Sequence, residues 1–151
     1  MVLLYGNEKQ LGCIIIDPGN ELPFQDYLVH NNLIPKMIII THKHLDHTFG
    51  LSALVDLYPN VEDTVGQVIY CLMIKDIAST ETAVENNDAL YFTGDTIFTA
   101  GVGRMFECQA PIYFKSIQFF IESLLELNCQ IENIFLFPAH EYSVILNKYD
   151  S

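Results

Sequence analysis

The chain has 151 residues, of which half are hydrophobic and 17% are charged, and this composition is typical of a packed globular domain rather than a disordered segment. Its net charge of −12, with only seven Lys and Arg residues, argues against a nucleic-acid partner, because phosphate binding requires clustered basic side chains. No stretch approaches the ~18 consecutive apolar residues of a membrane span, and the first residues lack the basic segment of a signal peptide. We therefore expect one domain over residues 1–151, cytoplasmic, with no nucleic-acid or membrane partner.

The predicted elements alternate between strands and helices. Short apolar runs bounded by turn residues predict strands, and apolar residues three or four positions apart predict helices. In chain order they are strands 2–5 and 11–17, helix 25–33, strand 37–41, helix 51–58, strands 67–74 and 90–93, helix 111–127 and strand 133–137. Residues 75–88 are polar and acidic and predict an exposed loop. The longest helix is expected to pack through one apolar face, made of Ile117, Phe120, Ile121, Leu124 and Leu125.

The four cysteines lie far apart and form no C-x-x-C pair. This spacing argues against a disulfide framework and against a cysteine-based zinc site. It predicts small, buried thiols in a reducing compartment.

Three imidazoles and a carboxylate follow strand 37–41 within six residues, in the order His42, His44, Asp46 and His47. Neutral histidine is the commonest metal ligand, and aspartate adds an oxygen donor. His42 and His44 leave an extended backbone on the same side, because strand side chains repeat every two residues. Asp46 and His47 can then turn toward a second point. A single histidine on an apolar strand is usually a core residue, but this spacing favours a site for two metal ions.

Two further strand ends carry residues that can bind metal. Asp95 follows strand 90–93, and His140 follows strand 133–137. Taken alone, Asp95 is equally consistent with a turn residue, and a histidine such as His140 is more often an exposed loop residue than a ligand. Because loops at strand ends carry the chemistry of α/β proteins, three such positions together favour a functional site.

Three segments together resemble the metallo-β-lactamase superfamily and, within it, glyoxalase II, the hydroxyacylglutathione hydrolases. They are His42-x-His44-x-Asp46-His47, the run from Thr93-Gly94-Asp95-Thr96 to Gly103-Arg104, and Pro138-Ala139-His140-Glu141-Tyr142. Asp17-Pro18-Gly19 and residues 113–117 also match this family. The resemblance covers nearly the whole chain. It implies an α/β fold of the αββα four-layer sandwich type, with some strands missing.

The resemblance also implies a set of metal ligands. His42 and His44 would bind the first metal. Asp46, His47 and His140 would bind the second, with Asp95 bridging the two, so that Asp46 and Asp95 also belong to the implied catalytic set. The implied metal is zinc, with iron or manganese as alternatives.

The implied reaction is hydrolysis of a glutathione thiolester, as in methylglyoxal detoxification. S-2-hydroxyacylglutathione would give glutathione and a 2-hydroxy acid, after attack by a hydroxide held between the metals. This small-molecule thiolester is the expected partner, and the resemblance assigns its glutathione part to Arg104 and Tyr142. The oligomeric state is left open.

The chain departs from the family pattern at one metal ligand. The family has a further histidine in an H-T-x-G segment, and the best match here is Asp63-Thr64-Val65-Gly66. No histidine lies between His47 and His140. Asp63 therefore either donates an oxygen ligand or only caps a turn.

The chain also differs from the family in length. The interval from His47 to Asp63 is short, which suggests an internal deletion near residues 62–63. The family's helical C-terminal domain does not follow the His140 segment, and Phe106 replaces an expected tyrosine. We therefore expect weak glutathione binding.

Two other interpretations stay open. The first is a catalytically impaired, truncated form or pseudoenzyme. The second is a mononuclear iron protein resembling persulfide dioxygenases, with two histidines and one carboxylate as ligands. Two zinc ions per chain would favour the hydrolase, one iron the oxygenase, and no metal the pseudoenzyme.

Overall fold

The computed structural model describes residues 1–7, 10–65, 68–74, 88–99, 101–104, 108–127 and 129–141, and every structural statement below concerns these residues. They group into two compact units, Met1–Val68 and Ile69–Ser151. Each unit combines one main sheet with helices. The expectation of one domain over residues 1–151 stays a prediction.

The first unit contains a four-stranded sheet made of β1 (Val2–Asn7), β2 (Gln10–Ile16), β3 (Pro35–Ile40) and β4 (Glu62–Val65). The strands lie in the order β1-β2-β3-β4. β1 and β2 are antiparallel, whereas β2–β3 and β3–β4 are parallel pairs. Parallel neighbours require crossover connections. These are supplied by α1 (Glu21–His30) before β3, and by α2 (Leu45–Thr48) and α3 (Leu51–Leu57) after it.

Alternating positions of β2 and β3 form the core of the first unit. Cys13 and Ile15 of β2 and Ile38 and Ile40 of β3 are fully buried and belong to one cluster. Their spacing of two residues puts them on the same face of the sheet. The helices cover this face through two fully buried leucines, Leu28 of α1 and Leu54 of α3. The ends of β2 and β3 are thereby fixed side by side.

The second unit contains β5 (Tyr70–Ile74), β6 (Asp88–Gly94), β7 (Ile97–Phe98), β8 (Gly101–Val102), α4 (Ala110–Glu126) and β9 (Ile134–Pro138). Three of the strands form a sheet with the order β5-β6-β9, and β7 and β8 form a two-stranded hairpin. β5 is antiparallel to β6, and β9 is parallel to it. α4 packs on β6 through Phe120, whose ring meets Tyr91 edge-on with 5.3 Å between centroids.

The structure corrects the boundaries of the first helix. α1 begins at Glu21 rather than at residue 25, because the Asn20 side chain caps it by accepting a hydrogen bond from the Leu22 N–H at 3.0 Å. Pro23 is tolerated because the first helical turn needs no N–H donor from it. The helix ends at His30, so Leu33 lies beyond it. Leu33 is nevertheless buried in the core.

Five short elements are absent from the sequence predictions: α2, β4, β7, β8 and a 3-10 turn at Ile131–Asn133. α2 is a single turn within the histidine segment, and β4 is a four-residue strand that pairs with β3. β4 contains Glu62, Asp63 and Thr64, so it lacks the apolar pattern by which strands are recognised. The other predicted strands and helices are present with shifted ends. Most of the predicted acidic loop, residues 75–87, lies outside the described residues.

The predicted packed face of α4 is partly wrong. Phe120 is buried, and Ile117 and Leu124 are partly buried, as expected. Ile121 and Leu125, however, are 49% and 81% exposed. At about 100° per residue they lie well to one side of Phe120, and a helix on a sheet buries only a narrow stripe. The exposed side of α4 is therefore strongly apolar.

The cysteine prediction is confirmed in part. All four cysteines are thiols rather than disulfides, and Cys13 is buried. Cys71 and Cys108 are exposed, which contradicts the expectation of buried thiols. Among the described helices, none combines the length and the apolar character that a membrane crossing requires.

Replacement of Leu28 by alanine should lower the free energy of unfolding by about 2–5 kcal/mol, because it removes a fully buried side chain and leaves a cavity. The neighbouring Val29 is 76% exposed, so Val29→Ala should change the free energy of unfolding by less than about 0.5 kcal/mol. Urea denaturation of both variants measures the difference. Equal losses of stability would contradict the assignment of Leu28 to the core.

Candidate metal-binding site

In the first unit, the carboxylate of Asp17 joins the ends of β2 and β3 to α2. It accepts hydrogen bonds from the backbone N–H of Thr41 at 2.8 Å and from the Thr41 hydroxyl at 2.7 Å. It also contacts Nδ1 of His47 at 2.9 Å. Asp17 adopts a left-handed backbone with φ of 48°, which is unusual for a residue other than glycine. One side chain thus sets the geometry of three segments.

The Asp17 carboxylate is stabilised in its charged form. Burial by itself favours the neutral acid, but hydrogen bonds from His47 and Thr41 outweigh it and hold the pKa of Asp17 below its ordinary value. An ionised carboxylate only accepts hydrogen bonds, so Nδ1 of His47 must be the donor. Nε2 of a neutral His47 then carries the ring's lone pair, which is the form that binds a metal.

The same reasoning fixes the tautomer of His42. The Thr41 hydroxyl gives its only proton to Asp17, so its oxygen must accept from Nδ1 of His42, 3.1 Å away. Nε2 of a neutral His42 therefore carries the lone pair. It lies 3.0 Å from Nδ1 of His44. The ring of His42 also stacks at a tilt on that of His47, with 3.9 Å between centroids.

The loop after β2 supports the histidine segment through close backbone contacts. A Cβ on Gly19 would lie only 1.8 Å from the backbone oxygen of Asp46, so a residue with a side chain cannot occupy this position without moving α2. The N–H of Gly50 donates to the Pro18 oxygen at 2.8 Å on the far side of α2. These contacts hold Asp46 and His47, whose Oδ2 and Nε2 atoms lie 3.5 Å apart.

In the second unit, Asp95 and His140 meet where β6 and β9 end. Gly94 ends β6 with a φ of 51°, and its oxygen accepts from the N–H of Ala139 at 3.1 Å. This bond brings His140, which follows Ala139, close to Asp95, which follows Gly94. Nε2 of His140 lies 3.4 Å from Oδ1 of Asp95. The polar residues that follow these two strands, Asp95 and His140, therefore lie next to each other.

The turn that carries Asp95 is held by two further contacts. The hydroxyl of Tyr113 donates to the Thr96 oxygen at 2.6 Å, and burial raises the pKa of Tyr113 above its ordinary value, so the hydroxyl keeps its proton. Gly103 packs so closely that a Cβ there would lie 1.7 Å from the backbone oxygen of Asp95. These contacts hold the backbone of Asp95 in place, so its side chain starts from a fixed position.

The donor atoms in each unit have the spacing that a divalent metal requires. Ligand atoms about 2.0–2.1 Å from a tetrahedral ion lie roughly 3.3 Å apart. The distances are 3.0 Å for His42–His44, 3.5 Å for Asp46–His47 and 3.4 Å for Asp95–His140. Imidazole and carboxylate donors suit zinc, iron and manganese. These side chains fit a divalent metal by both chemistry and spacing.

The remaining predicted site residues are less fully described. Arg104 is exposed and follows β8. Asp63 has its backbone in β4, opposite Ile38 of β3, but its side chain is not among those described. Tyr142 and Phe106 lie outside the described residues. Their roles stay predictions.

Three residues of the site have no role in the sequence predictions. Asp17 is treated there as the end of a strand, Thr41 as part of a strand, and Tyr113 as part of a helix. A polar Asp-Pro-Gly immediately after an apolar strand is the one signal that could have indicated Asp17. Its partners lie 24 and 30 residues away in sequence, so the contact itself could not be foreseen.

Comparison with known proteins agrees with this description. Residues 3–68 match the metallo-β-lactamase superfamily. A hydroxyacylglutathione hydrolase of Edwardsiella ictaluri is 32% identical, with 87% of this chain and 58% of that protein aligned. The corresponding protein of Pseudoalteromonas translucida is 33% identical, with 85% and 56% aligned. The chain thus spans somewhat more than half the length of these relatives. The predicted resemblance is confirmed.

Two solved structures share the fold at low sequence identity. TTHA1623 in a di-iron-bound form has a TM-score of 0.55 and 17% identity, covering 92% of this chain and 86% of that one. The BLEG-1 B3 metallo-β-lactamase has a TM-score of 0.53 and 17% identity, covering 82% and 79%. The predicted metallo-β-lactamase-like α/β fold is confirmed.

The alignments also bear on the length of the chain. The alignment with the Edwardsiella protein runs over 156 positions, more than the 151 residues present here. That protein therefore has residues without a counterpart in this chain, which is consistent with the predicted internal shortening.

Replacement of Asp17 by asparagine should weaken metal binding about 10- to 100-fold, because the amide cannot serve as the anionic acceptor that orients His47 and Thr41. Asp26→Asn, at an exposed position of α1, is the matched control and should bind metal normally. Competition with a chromophoric chelator measures the affinity of both folded variants. An unchanged affinity in Asp17→Asn would show that this carboxylate does not position the ligands.

Proposed function

We propose that this chain, which has the metallo-β-lactamase fold, is a metal-dependent hydrolase of glutathione thiolesters. The substrate class is S-2-hydroxyacylglutathione, and the products are glutathione and a 2-hydroxy acid. The observation that carries the proposal is the pair of His42 and His44, with nitrogen atoms 3.0 Å apart and the tautomer of His42 set by Thr41. The names of the aligned relatives support the thiolester as substrate.

The proposed ligand set comprises the residues indicated by the sequence. His42 and His44 hold one metal. Asp46, His47 and His140 hold the other, with Asp95 shared. Zinc is the proposed metal, and the donor types are equally suited to iron or manganese. When bound, divalent ions lower the pKa of a coordinated water to about 7 and polarise a carbonyl oxygen.

The protein's own side chains prepare these ligands. Asp17 and Thr41 keep protons on the Nδ1 atoms of His47 and His42, which leaves both Nε2 atoms as metal donors. Asp95 supplies a carboxylate from a turn held by Tyr113. Because the ligands are held in place before the metal arrives, little reorganisation opposes binding.

The reaction adds water across the thiolester. A bond forms between the water oxygen and the carbonyl carbon, the carbon–sulfur bond breaks, and glutathione leaves as a thiolate. A thiol has an ordinary pKa near 8.5, so the leaving group needs little help from a general acid. The exposed cation of Arg104 suits the carboxylates of glutathione, and Tyr142 is proposed as a second contact.

A second candidate is a mononuclear iron oxygenase. It is favoured by the absence of any histidine between His47 and His140, which leaves His42 and His44 without a third imidazole. Two histidines and a carboxylate are the ligands of such iron sites. The metal that copurifies separates the candidates, with two zinc ions favouring the hydrolase and one iron the oxygenase. A folded chain that binds no metal would be a pseudoenzyme.

The zinc-loaded chain should hydrolyse lactoylglutathione, and His44→Ala should lower kcat/KM at least about 100-fold by removing a metal ligand. His30→Ala, an exposed histidine in the last turn of α1, is the matched control. Absorbance of the thiolester bond follows the reaction. No hydrolysis by a folded chain shown to hold two zinc ions would refute the proposed substrate class.

The two metals should bind with unequal affinity, the weaker one at His42 and His44, because no third histidine serves them. Asp63→His should strengthen this weaker site and raise hydrolysis, whereas Asp56→His on α3 should do neither. Calorimetric zinc titration gives both affinities. Two equal zinc affinities in the original chain would contradict the assignment of the weaker site. If folded Asp63→His gains neither zinc affinity nor hydrolysis, Asp63 does not occupy the ligand position.

A further inference from the structure

We propose that α4 mediates self-association, by pairing antiparallel with α4 of a second copy of this chain. The surface concerned is called the α4 stripe and consists of Phe114, Gln118, Ile121 and Leu125. Its apolar members are strongly exposed, at 63% for Phe114, 49% for Ile121 and 81% for Leu125. This inference is independent of the proposed enzymatic activity.

The stripe has the spacing of a helix–helix contact. Successive members are four, three and four residues apart, which is the alternation that lines up one seam along a helix. The seam is separate from the side of α4 that packs on β6, where Phe120 is only 7% exposed. A helix that is apolar on two sides is normally covered on both. We therefore expect a second surface to cover the α4 stripe.

Charge complementarity identifies a second copy as that partner. Lys115 and Glu122 lie on the same edge of the stripe and are both exposed. We consider an antiparallel pair centred on the stripe, with a rise of about 1.5 Å per residue. Measured along the helix axis, each Lys115 then lies within about 3 Å of the partner's Glu122. The two-fold symmetry of such a dimer repeats the contact between Lys115 and Glu122, so it occurs twice.

The opposite orientation lacks this complementarity. In a parallel two-fold pair, the edge that carries Lys115 and Glu122 faces the opposite edge of the partner helix, where Ile117 and Leu124 lie, so neither charge meets an opposite charge. Opposite charges at facing positions set partner choice and orientation, and of the two orientations only the antiparallel pair supplies them. Gln118 would meet the partner's Ile121 in the antiparallel seam. A polar residue there fixes register and lowers affinity.

The size of the stripe sets the expected strength. α4 has 17 residues and is about 25 Å long. A single helix pair of this length buries less than the roughly 1,200 Å² of a standard interface. We therefore expect a weak, concentration-dependent dimer with a Kd of micromolar order or weaker, rather than an obligate one.

Sedimentation equilibrium of the intact chain at increasing concentration tests the proposal. Phe114→Lys should weaken dimerisation at least about tenfold, because it puts a charge into the seam. Phe119→Lys is the matched control, since Phe119 is 73% exposed but lies on the other side of α4. It should change the Kd less than about twofold. Circular dichroism verifies that both variants are folded.

A charge exchange tests the orientation. Lys115→Glu and Glu122→Lys should each weaken the homodimer about fivefold or more, since each creates two like-charge contacts. An equimolar mixture of the two variants should associate about as well as the original chain, because every facing pair then has opposite charges. A monomer at all concentrations up to about 500 µM, equal effects of Phe114→Lys and Phe119→Lys, or no recovery in the mixture would overturn the proposal.

Discussion

The partly buried carboxylate of Asp17 makes the contacts on which the arrangement of the first unit's site depends. It binds Thr41 at the end of β3 and His47 in α2, although these residues are far apart in the sequence. Because Asp17 is ionised and Thr41 has one proton to give, the tautomers of His47 and His42 follow from it. A metal site usually requires such supporting hydrogen bonds, and here the protein provides them through one side chain.

The second unit reaches a similar result by packing rather than by charge. The turn after β6 carries Asp95, and it is held by the hydroxyl of Tyr113 and by a close contact with Gly103. β9 ends beside it, so His140 lies next to Asp95. Both units thus use a left-handed residue at a strand end, Asp17 in one and Gly94 in the other, to present polar side chains.

Much of the site could be predicted from local pattern. The spacing of His42, His44, Asp46 and His47 after an apolar strand indicates metal ligation directly, because strand periodicity is a local property. Asp95 and His140 follow from their positions after strands. The role of Asp17 could not be predicted, because it depends on which strands become neighbours. Apolar spacing likewise cannot tell which apolar side of α4 the sheet covers, so Ile121 and Leu125 were assigned to the core but lie at the surface.

The central claim is that imidazole and carboxylate side chains, held ready by Asp17, bind divalent metal. X-ray absorption at the edge of the copurified metal tests it most directly, because nitrogen or oxygen ligands at about 2.0–2.2 Å are distinguished from sulfur at about 2.3 Å. We predict nitrogen and oxygen ligands, with the outer scattering of at least two imidazoles and no sulfur. Coordination by cysteine sulfur, or a folded chain that holds no metal, would contradict the account.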